Sequence, residues 1–101
     1  RNIVNRLTAL IDMINGEDGI LYFHEYDDHS VLETIETNTI AKMFDRVCYM
    51  LYPNISSVTS DICYHSHNMT ITVYATDSKK IILKTLEVCI EIYQDILKQL
   101  N

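Results

Sequence analysis

This chain of 101 residues has no tryptophan, two glycines and one proline. A glycine-rich phosphate loop and a proline-rich recognition segment need more of these residues, so we expect neither type of site. Eight lysines and arginines stand against fourteen acidic residues, which gives a net charge of -6. Binding to nucleic acid or to an anionic membrane depends on clustered basic residues, and we therefore expect neither partner.

Long apolar runs are also missing from the sequence. None approaches the eighteen or more apolar residues that a membrane-spanning helix requires. The hydrophobic content of 48% over 101 residues is nevertheless enough for one core, and it predicts a single domain over residues 1–101. Because the sequence begins with Arg1, a piece of a longer protein is an open alternative.

Three cysteines cannot all pair within one chain. Cys48 and Cys89 fall on segments with helical spacing, where an unpaired cysteine behaves as a small buried hydrophobe. The reducing cytosol is the simpler setting, so we expect a cytoplasmic protein. Two glycosylation sequons, at Asn54 and Asn68, keep a secreted or viral interaction domain open as the alternative.

Apolar residues at helical spacing predict three helices. The first begins near Ile3 and ends at Asn15-Gly16, a glycine-type stop. The second begins at Asn38, a good N-cap, and ends before Pro53. The third covers Lys79 to Leu100 and follows a polar segment that supplies candidate caps.

Four further runs predict strands: Gly19–Tyr26, Ser30–Thr37, Val58–His65 and Met69–Ala75. The first is continuously apolar in its middle, which is typical of a central strand covered on both faces. The last two are expected to form a hairpin. The resulting fold class is α+β, a two-layer domain with a mainly antiparallel sheet packed against helices, in the order α-β-β-α-β-β-α.

The segment Ser30–Thr37 has two interpretations. Four of its eight residues are β-branched, which favours a strand. Ser30-Val31-Leu32-Glu33 also matches a capping box, which would start one long helix running to Leu51. We favour the strand.

The final helix is more apolar than a surface helix requires. On a helical wheel, one arc of roughly 140° holds nine apolar residues. They are Leu83, Leu86, Ile82, Cys89, Ile90, Tyr93, Ile96, Leu97 and Leu100. A second arc adds Ile81, Val88 and Ile92. A stripe of about 100° is enough to cover a small sheet, so we expect the first arc to cover the sheet and the second to face a partner.

A protein-protein interface is therefore expected on this helix, formed with a second copy or with another protein. Its candidate residues are Ile81, Val88, Cys89, Ile92, Tyr93 and Ile96. The seven tyrosines agree with an interface, because tyrosine is enriched there. They agree equally with side chains that edge the core and keep their hydroxyl groups wet.

Residues that could carry chemistry are few. In a regular strand Cys63, His65 and His67 would point to one face, which makes a zinc site an alternative function. A polar hairpin end with solvated histidines is the preferred interpretation. The carboxylate pairs fall in turns or on wet faces rather than in a cleft. We therefore expect a non-enzymatic protein without a cofactor.

The order of elements resembles that of the roadblock and longin-like family of small adaptor domains. The resemblance rests on a first helix, Gly19–Phe23 opening a hairpin, a middle helix, and Asn68–Ala75 feeding a long terminal helix. It covers nearly the whole chain without a diagnostic motif, and between Pro53 and Asp77 the sequence predicts two strands where the family usually has three. It implies a dimerising, non-enzymatic scaffold, for example for a small GTPase.

Overall fold

The computed structural model describes residues 3–16, 23–34, 38–61 and 69–100. These residues contain three helices and four strands. In chain order they are α1 (Ile3–Asn15), β1 (Phe23–Glu25), β2 (Ser30–Thr34), α2 (Asn38–Leu51), β3 (Ser56–Asp61), β4 (Met69–Tyr74) and α3 (Ser78–Leu100). The α+β class is confirmed, and the described elements follow the expected order.

The strands form one antiparallel sheet in the order β1-β2-β4-β3. Two hairpins, β1-β2 and β3-β4, are joined where β2 pairs with β4. The first hairpin turns through Asp27-Asp28, and the Tyr26 N–H donates to the His29 carbonyl across the turn at 2.8 Å. The expected hairpin of the last two strands is confirmed.

The apolar run Gly19–Tyr26 was expected to give a central strand covered on both faces, and this expectation is wrong. Its described part, β1, lies at the edge of the sheet, and Glu25 is exposed. An apolar run indicates burial, but it carries no information about strand order, which is set by contacts far away in the chain. Residues 19–22 lie outside the described residues.

The sheet is buried on one face. Phe23, Leu32 and Ile71 are partners across three neighbouring strands, and all three are buried under the helices. On the opposite face His24, Val31 and Thr72 form the next row, and each of them is partly exposed. This alternation gives the expected two-layer arrangement.

The helical layer is organised around α3, because α1 and α2 both pack against it. Each helix sends the apolar residues of one side into a common core. The largest contributions are Leu7, Leu10 and Ile14 from α1, Ile40, Phe44 and Val47 from α2, and Ile81, Ile82 and Leu86 from α3. The three helices predicted from apolar spacing are thus confirmed within one or two residues at each end.

The segment that begins at Ser30 forms a strand as far as Thr34, and α2 begins separately at Asn38. The alternative of one helix from Ser30 to Leu51 is therefore wrong, and residues 35–37 lie outside the described part. Ser30 is the first residue of β2 and caps no helix, and its hydroxyl instead contacts the start of α3. Its Oγ lies 2.6 Å from the Oγ of Ser78, and both residues are 0% exposed.

This buried pair joins the first residue of β2 to the first residue of α3. The Ile81 N–H donates to the Asp77 carbonyl, which makes Asp77 the N-cap residue of α3 and leaves the Ser78 hydroxyl for Ser30. Two hydroxyl groups that satisfy each other can be buried at little net cost.

We expect Ser30→Ala and Ser78→Ala each to destabilise the fold by about 1–3 kcal/mol, because each leaves one buried hydroxyl without its partner. The double variant should lose clearly less than the sum of the two. Urea unfolding of the four proteins measures this coupling. Thr8→Ala is the control, because that hydroxyl bonds the Val4 carbonyl on an exposed side of α1. Full additivity would contradict the assignment.

Candidate interaction surface

The exposure of α3 changes along its length. Its fully buried residues lie between Ser78 and Cys89. Every residue from Gln94 to Leu100 is exposed. The helix therefore extends about two turns, or roughly 10 Å, beyond the core.

Three large apolar side chains are exposed on this extension. Ile96 is 45% exposed, Leu97 49% and Leu100 77%. On the helical wheel they span about 100° and lie on the same side as the buried residues Ile82 and Cys89. The buried stripe of α3 thus continues past the end of the core into solvent. We call Ile96, Leu97 and Leu100 the α3 end patch.

Of the six interface candidates, Ile81 and Cys89 belong to the core, at 2% and 0% exposure. They are thereby removed from the candidate surface. The physical reason is that α1 and α2 flank α3. A helix covered by two helices and a sheet buries a wider side than the stripe needed to cover a sheet alone.

The other four candidates lie at the margin or on the extension. Val88, Ile92 and Tyr93 are half-buried and pack against the core. Ile96 is exposed and forms part of the α3 end patch.

Leu97 and Leu100 were expected to cover the sheet, but they extend beyond it. A helical wheel shows only the angle of each residue around the axis, so it does not show that Leu97 and Leu100 lie beyond the end of the core. A comparison of lengths could have found it, because α3 has 23 residues while α1 has 13 and α2 has 14.

The described tyrosines are all at least partly exposed. Tyr26, Tyr49 and Tyr74 are exposed, while Tyr52 and Tyr93 are half-buried. Tyr22 and Tyr64 lie outside the described residues. The described tyrosines therefore include side chains at the edge of the core and side chains on the surface.

Two of the exposed tyrosines, Tyr26 and Tyr74, each stack against the ring of His29. The ring centroids of Tyr26 and His29 are 4.6 Å apart, and those of His29 and Tyr74 are 5.7 Å apart. His29 Nδ1 also lies 2.6 Å from Asp28 Oδ1. This hydrogen bond to His29 lowers the pKa of the Asp28 carboxyl from its ordinary value of 3.8.

The alternative metal residues Cys63, His65 and His67 lie outside the described residues. Within the described ranges, no group of three or more His, Cys, Asp or Glu could hold a metal ion. No helix in the described part of the chain is long and apolar enough to cross a membrane.

No protein-family model matches this chain, and no curated protein matches it. The resemblance to the roadblock and longin-like family stays a prediction. The function of the candidate interaction surface therefore follows from the chemistry of its own residues.

The burial of Cys89 has a chemical consequence. Burial, with Cys48 as a second cause, raises the pKa of the Cys89 thiol to about 12. Because the thiolate is the reactive form, we expect Cys89 to resist iodoacetamide at neutral pH in the folded protein and to react after denaturation. Peptide mapping by mass spectrometry follows this cysteine separately from the others. Rapid labelling of Cys89 in the folded protein would contradict its place in the core.

The contact between Asp28 and His29 predicts a pH effect. Because the folded-state pKa of Asp28 is lowered, its stabilising contribution is present above about pH 3.8 and is lost as the pH falls through the lower folded-state value. His29→Phe keeps a ring between the tyrosines but removes the hydrogen bond. We expect the Asp28 pKa to rise toward 3.8 in this variant. Carboxyl NMR titration measures it, and an unchanged pKa would show that the hydrogen bond to His29 is not the cause.

Proposed function

We propose that this chain is a non-enzymatic dimerisation module, which acts as a scaffold or adaptor within a larger complex. The α3 end patch of one copy meets the same patch of a second copy. The observation that carries the proposal is the exposure of Ile96, Leu97 and Leu100 at the end of a helix whose apolar stripe is otherwise buried. Exposed apolar patches are typical of interaction sites.

The charge around the patch favours a second copy as the occupant. On the wheel, the positions that border the patch in the last turns are uncharged: Ile90 and Gln94 on one side, Ile92 and Gln99 on the other. The charged residues Glu91, Asp95 and Lys98 lie on the opposite side of α3. Two chains of net charge -6 can therefore meet here without opposing like charges.

The geometry also fits a twofold interface. In such an interface the same surface serves both copies, so an apolar centre meets an apolar centre. A stable interface buries about 800 Å² on each partner, which is more than three side chains supply. The half-buried residues Val88, Ile92 and Tyr93 would form its margin, and the patch its centre.

The resemblance to the roadblock and longin-like family supports the scaffold role, because members of that family dimerise and are not enzymes. A small GTPase is one class of partner that the resemblance implies for such a scaffold.

The test compares two variants with the same change in charge. Leu97→Glu/Leu100→Glu places two carboxylates in the patch, while Gln94→Glu/Gln99→Glu places two on its border in the same exposed turns. We expect the wild type to dimerise with a Kd on the order of 10–100 µM, the leucine variant to be monomeric and the glutamine variant to dimerise. Light scattering across a concentration series measures the mass in solution.

All four positions are exposed, so we expect both variants to keep the wild-type helix content. Charges at Val88 or Ile92 would be a poorer test, because those side chains pack against the core and the fold itself would weaken. A wild type that is monomeric at the highest concentration would refute the proposal. So would equal dissociation of both variants, which would indicate charge repulsion rather than loss of apolar contact.

A further inference from the structure

A groove of about 470 Å³ lies between α2 and α3. Four of its lining residues, Lys42, Met43, Asp45 and Arg46, come from α2, and the fifth, Tyr93, comes from α3. The volume falls in the range of known ligand sites. None of the five residues is fully buried. The groove is therefore open to solvent along the surface, where an extended segment can lie.

Its chemistry combines two cations with an apolar wall. Lys42 and Arg46 are one helical turn apart, so they lie on the same side of α2, and both are exposed. Neither forms an ion pair with another residue in the described part of the chain. Asp45, the one carboxylate among the lining residues, already takes part in a hydrogen-bonding or electrostatic interaction. Met43 and Tyr93 are half-buried and pack against the core, which gives the groove a firm apolar side.

A second groove, of about 350 Å³, lacks this excess of cations over carboxylates. It is lined by Glu25, Asp77, Lys79, Lys80 and Leu83, so its two lysines are balanced by two carboxylates. The first groove has two cations and one carboxylate. In a chain of net charge -6, it is thus the more positive of the two.

We propose that the groove between α2 and α3 binds an acidic peptide segment of a partner protein. Carboxylates of the segment pair with Lys42 and Arg46, where the guanidinium of arginine can hold a carboxylate through two hydrogen bonds. An apolar side chain next to those carboxylates packs on Met43 and Tyr93. The groove adjoins the proposed dimer interface at Tyr93, but its cations Lys42 and Arg46 lie on α2, outside that interface, so a dimer would carry two such grooves.

The probe is a short, end-blocked peptide of repeating Glu-Glu-Leu, titrated into the full chain by calorimetry. We expect a Kd on the order of 10–100 µM that weakens as salt is added. A peptide with glutamine in place of glutamate should bind at least about tenfold more weakly. Lys42→Glu/Arg46→Glu should abolish binding.

The matched control is Lys80→Glu/Lys84→Glu, because this pair has the same spacing, exposure and charge change on α3 outside the groove. It should keep binding within about threefold, the small change that screened charges at a distance cause. If circular dichroism shows that Lys42→Glu/Arg46→Glu is unfolded, Lys42→Gln/Arg46→Gln replaces it with the same expected loss. The monomeric variant Leu97→Glu/Leu100→Glu should still bind the peptide, which separates this site from the dimer.

Three results would overturn the proposal. Equal binding of the glutamine peptide would show that no carboxylate is recognised. Equal loss in the control on α3 would show that only the overall charge matters. Binding of pyrophosphate without binding of the acidic peptide would make the groove a phosphate site.

Discussion

The packing of α3 against two helices and a sheet is the constraint on which the rest of the structure depends. Ile82, Leu86 and Cys89 are completely buried, and both α1 and α2 pack against the same helix. Burial of one large apolar side chain contributes about 1.5–3 kcal/mol, while a whole domain is stable by only about 5–15 kcal/mol. Burial of a few side chains of α3 therefore contributes a free energy comparable to the net free energy of unfolding of the whole domain.

The same helix divides into two parts with different roles. The part from Ser78 to Cys89 is held at its start by the buried hydrogen bond to Ser30 and along its length by the core. This anchoring fixes the direction in which the remaining turns leave the domain. Continuous helical backbone then carries the exposed leucines at a defined angle. The part that stabilises the fold thus positions the part that is available to a partner.

Much of the local structure could be predicted because its causes are local. Helical spacing marked all three helices, and alternation marked β2 and β4. The edge position of β1 could not be predicted, because strand order depends on distant pairing. The exposure of Leu97 and Leu100 was missed because a wheel has no axial coordinate. The groove could not be predicted for a related reason. The sequence shows that Lys42 and Arg46 lie on one side of α2, but it does not show that Tyr93 of α3 lies opposite them.

The two candidate surfaces use different physical forces, although Tyr93 borders both. The α3 end patch is apolar with an uncharged border, so its association depends on removing apolar surface from water and responds weakly to salt. The groove contains Lys42 and Arg46 in a chain that is otherwise acidic, so the peptide binding that we propose there is electrostatic and is expected to weaken as salt is added. The scaffold that we propose would gain from this difference, because self-association and partner binding would respond independently to salt.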